Sequence, residues 1–327
     1  MRFRRFSKAR ISSDRPAEDA MGSERKLYEH LNDHHGFFYS VSRSLYKGRT
    51  KYQEIELIET PEFGTVLLLD GITQVTEKGD EQYHEPMVHY PLIAHDDPQR
   101  VLIIGGGDGG TLREVLKHPV REVDFIELDE EVVAFSREHL KSVHRGAFDD
   151  PRVNLQFLDG REWVADHADR YDAVIMDMTD PFGPSRMLYT REFYQLITSS
   201  FRDERGVFAM HSESPVARPV AFRCITDTLR TVFPIVRSAY SYIQMYATYW
   251  SFAISSRATD IASLSTDDVQ SRLHARGISD LRLIDPATWG ALQVAPPYVS
   301  AIPHDVPVIT DAEPIFPDHF IAARTVR

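Results

Sequence analysis

Residues 101–110 read VLIIGGGDGG, and TLREVLKH follows at 111–118. Four apolar residues, three of them β-branched, run into a glycine-rich turn, and the spacing after it is helical. Working outward, the same unit recurs. VDFIELD (123–129) reads as a strand before a helix over 130–140. VNLQFLDG (153–160) precedes a helix over 161–168, and YDAVIMDMTDP (171–181) is a further apolar strand. A helix over 191–199, a strand at VFAMHSES (207–214) and a helix over 219–231 extend the pattern. Alternating strands and helices imply an α/β fold: a parallel Rossmann-like sheet with helices on both faces. Upstream the texture differs. Strand-like runs at 51–60, 64–70 and 72–77 surround the turn residues Pro61-Glu62-Phe63 and Asp70-Gly71, which predicts β-hairpins. A helix is expected over 80–93, weakened by Pro86 and Pro91. The expected organisation is a basic tail over 1–24, a β-hairpin domain over 25–90 and a Rossmann-like nucleoside-binding domain over 91–327.

Gly105, Gly107 and Gly110 fit the G-x-G-x-x-G pattern, and Glu127 follows at the end of the next strand, placed for ribose hydroxyls. Such a loop serves a dinucleotide or an S-adenosyl ligand. Asp108 favours the second, because a carboxylate there repels a pyrophosphate and attracts a sulfonium or ammonium. Asp108 also suits a plain cap on the helix beginning near Gly109.

Acids recur at the strand ends: Glu127, Asp159, Asp177 and Asp180. In an open α/β sheet these positions face the ligand. Each alone reads as a solvated loop carboxylate. Together with Asp108 they imply a cationic substrate, since unpaired buried carboxylates are costly. The whole chain of 327 residues has 49 acidic and 37 basic residues, a formal charge of −12. That balance is a poor match to nucleic-acid phosphates. Cys224 is the single cysteine, so no intramolecular disulfide or CxxC zinc site is possible. The 14 histidines show no metal-ligand spacing, so no metal is expected. No apolar run approaches a membrane span, and the expected location is the cytoplasm.

At these residues the sequence resembles the spermidine synthase family of polyamine aminopropyltransferases. The shared stretches are TKYQEIELIE (50–59), LLLDGITQVTEKGDEQYHEPMVH (67–89), VLIIGGGDGGTLREVLKH (101–118), IELDEEVV (126–133), YDAVIMDMTDPFGP (171–184) and LYTREFY (188–194). The resemblance spans about residues 36–256 and implies that the parallel sheet is of methyltransferase type. It implies transfer of an aminopropyl group from decarboxylated S-adenosylmethionine, a cosubstrate and not a cofactor, to an amine, with release of methylthioadenosine. By resemblance Asp177 is the catalytic aspartate, with Tyr83 and Asp180 as helpers. Gln53, His84 and Asp108, with Gly105 and Gly107 of the loop, hold the aminopropyl arm and its nucleoside. Glu127 takes the ribose, Asp159 and Gly160 the adenine, and Pro184 belongs to the loop over the adenine. Gln74, Asp180, His211 and Tyr246 form the amine site. The resemblance also implies a homodimer or homotetramer.

The departures lie at the amine end. Phe37-Phe38 stands where many members have Trp-Phe. QMYATYW (244–250) lacks the usual proline, and His211 stands where the family has Gln or Glu. Arg186 brings a positive charge into the loop over the site. DLRLIDPATWGAL (280–292) is similar to thermospermine synthases, whereas DMTDP is similar to ordinary spermidine synthases. Putrescine is the default acceptor, with cadaverine, agmatine, spermidine and diaminopropane open. An S-adenosylmethionine methyltransferase, and a homologue that binds without catalysis, are the competing readings. Asp108 and Tyr83-His84 speak against the first, and intact Asp177, Tyr83 and Asp180 against the second.

Overall fold

Side-chain alternation along the strand at 100–105 sets the layering. The computed structural model describes residues 25–181 and 183–316; the expected basic tail at 1–24 lies outside them. Two strands, β1 (Arg25–His30) and β2 (Gly36–Val41), form an antiparallel ribbon. Next come β3 (Arg43–Arg49), β4 (Glu54–Thr60), β5 (Gly64–Leu69) and β6 (Ile72–Thr76), an antiparallel sheet in sequence order. The turn at Asp70-Gly71 has positive φ at both residues, as a two-residue hairpin requires.

Helix α1 (Glu81–Ala94) carries the chain into the larger layer. Both its prolines lie inside the helix. Burial outweighs their cost, because every residue from Tyr83 to Ala94 is buried and such a helix is held by packing on all sides. Then follow β7 (Arg100–Gly105), α2 (Gly110–Leu116), β8 (Glu122–Glu127), α3 (Glu130–His139), α4 (Lys141–His144), β9 (Val153–Phe157), α5 (Gly160–Ala165) and β10 (Ala173–Asp177). The remaining elements are α6 (Arg191–Ser200), β11 (Val207–His211), α7 (Pro219–Arg230), β12 (Ile235–Ile243), β13 (Thr248–Ser256), α8 (Thr266–Ala275), α9 (Pro286–Ala291) and α10 (Pro297–Ser300).

The large sheet has the order β12-β13-β11-β10-β7-β8-β9. The five strands from β11 to β9 are parallel, as the βα alternation predicts. The sheet then adds a feature the pattern did not announce: β13 runs antiparallel to β11, and β12 antiparallel to β13. In β7, Val101 and Ile103 pack in the core with α1, α2 and α8, while Leu102 and Ile104 pack in a second core with α6 and α7. Strands β10 and β11 split in the same way, Ile175 and Ala209 to one core, Met176 and Met210 to the other. Strands covered on both faces must be apolar at every position, which is why VLII and AVIM read as unbroken runs. Because the five strands are parallel, Gly105, Glu127, Asp177 and His211 end at one edge of the layer.

Candidate active site

The loop after β7 begins with two left-handed glycines, Gly105 at φ +80° and Gly106 at φ +74°. A methyl group on Gly105 would run into the carbonyl oxygen of Asp177, and one on Gly106 would come within 2.9 Å of the Asp177 carboxylate. Only glycine lets the loop cross this strand end closely enough for the two elements to share a site. Asp108 follows. Its Oδ1 accepts the backbone N–H of Gly110 at 2.7 Å, so it also caps the helix start.

Asp177 stands at the end of β10, opposite Gly105. Tyr83 Oη donates to its Oδ1 at 2.9 Å, and Thr111 Oγ1 donates to its Oδ2 at 2.6 Å. The hydroxyls come from α1 and α2, so both helices must be seated before the carboxylate is oriented. Burial, and next the Asp177 charge, drive the Tyr83 phenol well above its ordinary pKa, so it remains a donor.

His84 sits one residue further on α1, between two acids. Its Nδ1 donates to Asp80 at 3.0 Å, and its Nε2 lies 3.7 Å from Asp108. Asp80 is also held by Arg113 at 2.8 Å. Burial works against a charged imidazole, yet the bond to Asp80 and the charge of Asp108 raise the His84 pKa. Burial raises the Asp108 pKa, with the nearby Asp177 adding to it. Glu127 accepts the N–H groups of Leu128 and Asp129 at 2.7 and 3.0 Å, and burial still pushes it to about 7. Burial thus disfavours the charged forms of Asp108 and Glu127, and a cationic ligand would favour them.

The site opens into a cavity of about 350 Å³ whose lining includes Gln53, Asp108, Glu127, Asp177, Asp180 and Tyr246. Tyr83, Gly105, Gly107, Gln74 and His211 line it too. A smaller hollow of about 80 Å³ adjoins it through Gly105, Glu127 and Met178, and reaches Asp159 and Gly160. Asp159 caps α5, accepting from the N–H groups of Arg161 and Glu162. Gln53 donates to Asp129 at 3.2 Å. Tyr246 donates to the backbone carbonyl of Gln74 at 3.1 Å and tilts against Trp250, with centroids 5.1 Å apart. Fourteen of the fifteen residues expected from the sequence therefore border one of the two hollows or, like His84, contact a residue that does. Pro184 falls in the 3-10 turn Gly183–Leu188, and its side chain lies outside the described residues.

His211 is 2 % exposed. Its Nε2 lies 3.0 Å from the Met178 carbonyl and 2.8 Å from Tyr189 Oη. A carbonyl only accepts, so Nε2 carries the proton and Nδ1 is left as an acceptor. Nδ1 has no hydrogen-bond partner among the described residues. Burial lowers the His211 pKa, which keeps the ring neutral.

Four positions at the site escaped the sequence reading: Thr111, which bonds Asp177, and Glu29, Glu213 and Arg218, which interact with Asp180. Arg218 donates to Asp180 at 2.7 Å and lies 3.3 Å from Glu213. Arg186, expected to bring charge over the site, is exposed; the cation that lines the cavity is Arg218. Glu29, on β1, is buried and pushed to about 7 by burial. The rule that ligands meet the carboxyl ends of parallel strands points to Glu213, two residues past β11. Nothing in SPVARP (214–219) marks Arg218.

Among the described residues no group of three or more His, Cys, Asp or Glu is placed to hold a metal ion, and no helix is long and apolar enough to cross a membrane.

Comparison with known proteins places these features in context. Residues 80–265 match the family model described as the spermine/spermidine synthase domain, and residues 27–77 match the spermidine synthase tetramerisation domain. A polyamine aminopropyltransferase of Nitrosomonas europaea is 38% identical over 292 residues, 89% of this chain and 90% of that protein. Polyamine aminopropyltransferase 1 of Aquifex aeolicus is 43% identical over 67% of this chain and 78% of its own length. A crystal structure of spermidine synthase with the transition-state analogue AdoDATO superposes with a TM-score of 0.79 at 34% identity, covering 85% of this chain and 95% of that one. The spermidine synthase of Thermotoga maritima gives 0.78 at the same identity, covering 85% and 94%.

Proposed function

The chain belongs to the spermine/spermidine synthase family, and on that footing we propose how its residues serve the reaction. It is an aminopropyltransferase that moves the aminopropyl group of decarboxylated S-adenosylmethionine onto an amine. The observation that carries the residue assignment is Asp177, held by two hydroxyls at the mouth of the glycine loop.

An aliphatic amine is mostly protonated at neutral pH, and an ammonium has no lone pair. Asp177 accepts the hydrogen bond of the incoming nitrogen and takes its proton, which then passes to water. The freed lone pair attacks the carbon next to the sulfonium. The new N–C bond forms as the C–S bond breaks, and its electron pair leaves with sulfur as the neutral thioether methylthioadenosine. Tyr83 and Thr111 aim the carboxylate, and holding nitrogen and carbon in line supplies much of the rate.

In this reading Glu127 binds the ribose hydroxyls and Asp159 with Gly160 borders the adenine. Asp108, with His84 behind it and Gln53 across the cavity, attracts the sulfonium arm. Gln74, Asp180, His211 and Tyr246 line the acceptor's path, and putrescine is the default acceptor. The hairpin region, 25–90, serves as a cover and 91–327 as the catalytic body, with α1 as the seam. The match of residues 27–77 to a tetramerisation domain supports a homo-oligomer.

The test pairs binding with turnover. Asp177→Asn is expected to lower kcat by on the order of 10² to 10⁴ while the donor still binds within about threefold of the unaltered enzyme. Decarboxylated and ordinary S-adenosylmethionine are compared across a panel of amines, with methylthioadenosine release as readout. Turnover near that of the unaltered enzyme in Asp177→Asn would remove the assignment, and methyl transfer from ordinary S-adenosylmethionine would favour a methyltransferase.

A further inference from the structure

An acid-lined cavity for a cationic amine contains a cation of its own. Arg218, one residue before α7, reaches into the acceptor end. Its Nη1 donates to Asp180 Oδ2 at 2.7 Å and lies 3.4 and 3.3 Å from the two oxygens of Glu213. Its Nε donates to the carbonyl of Leu31 at 3.0 Å, which ties the guanidinium to the end of the β1–β2 ribbon. Glu213 is fully buried and adopts φ +68°. A glutamate in that left-handed region is strained, and such strain persists where the surroundings impose it. The group is built, not incidental.

Building on the aminopropyl-transfer reading, we propose that Arg218 sets acceptor specificity by occupying the Asp180 carboxylate that would otherwise hold the far ammonium of a diamine. The far end is then close to electrically neutral. Burial, with the Asp180 charge next, raises the pKa of Glu213, so Glu213 keeps its proton and Arg218 is balanced by Asp180. Glu29, within electrostatic reach of both and at about 7, carries only part of a charge at neutral pH. A diamine must displace the guanidinium or place its second charge beside it, and like charges in a poorly solvated site repel. A monoamine of the same length pays no such penalty. The enzyme therefore favours a diamine over its monoamine counterpart less strongly than its acids suggest.

The experiment compares kcat/KM for 1,4-diaminobutane and n-butylamine, with decarboxylated S-adenosylmethionine as donor. Arg218→Met removes the charge; Arg218→Gln removes it while keeping hydrogen-bond donors for Asp180 and Glu213. Either variant is expected to raise the diamine-to-monoamine ratio at least tenfold, through a lower KM for the diamine. An unchanged or lower ratio in a folded variant overturns the proposal, a lower one showing that Arg218 supports Asp180. Should neither variant fold, the unaltered enzyme decides: a ratio below about a hundred is expected, and a larger one, the size of an uncompensated buried charge pair, overturns the inference. Failure to release methylthioadenosine with any amine removes the transferase reading itself, a distinct outcome.

Discussion

Single residues carry the electrostatics. Asp108 and Glu127 are carboxylates whose pKa burial raises, Glu127 to about 7. In the free protein each holds a proton up to its raised pKa, whereas a bound sulfonium nucleoside, with its ribose on Glu127, favours the ionised forms. Binding therefore releases protons, and affinity climbs as pH rises through the raised values and levels off above them. Folding has the opposite sign: a carboxyl whose folded pKa is raised contributes stability at low pH that is lost as pH rises through about 7. The expected outcome is a donor dissociation constant falling between pH 6 and pH 8, measured by calorimetry in buffers of different ionisation enthalpy so that proton release is read directly. A pH-independent dissociation constant would contradict it. The strand-end acids were legible one by one in the sequence, because each ends an apolar run. Their protonation was not, since it depends on what covers them: Val132 and Leu67 also line this cavity, and they come from α3 and from the hairpin sheet.

At the scale of elements, the loop between β7 and α2 is the part most fully written in the sequence. Its glycines, the apolar strand before it and the helix after it are all local. The loop also explains why Gly105→Ala is expected to do more than strain one residue. Positive φ in a non-glycine costs about 1–3 kcal/mol, and the added methyl displaces the Asp177 backbone. We expect a kcat loss much larger than the shift in melting temperature, read by steady-state kinetics beside thermal denaturation. A variant that loses stability without losing kcat would show that loop and strand end are not coupled. Helix α1 was less legible. Pro86 and Pro91 argue locally against it, and only the enclosing layer outweighs them. The β12–β13 pair was also illegible as an antiparallel addition: Tyr240, Tyr249 and Trp250 mark strands, but direction is set by the short Gln244–Tyr246 turn between them and by pairing with β11.

The whole molecule couples the C-terminal region to the site through α1. Glu85, buried next to Tyr83 and His84, accepts three backbone N–H groups, from Arg282, Leu283 and Ile284, at 2.7, 2.8 and 3.0 Å. Glu85→Ala leaves three donors unpaired and is expected to destabilise the protein by about 3 kcal/mol, measured as a lower denaturant midpoint with unchanged slope. Glu85→Gln, which accepts through one oxygen only, should recover part of that loss. Stability equal to that of the unaltered protein in Glu85→Ala would exclude the anchoring role. The sequence by itself determined the βα layering, the glycine loop and the acids at the strand ends, because each rests on contacts within a few residues of chain. Only the tertiary structure decided that Thr111 and Tyr83 share Asp177, that β13 turns the sheet antiparallel, and that Arg218 sits on Asp180. Those pairings join residues up to 94 positions apart, where neither spacing nor composition carries a signal. The acidity of the chain follows the same division: a charge of −12 is a property of composition, but the Arg218–Asp180 pair inside an acid-lined cavity exists only because the fold brings one arginine to it.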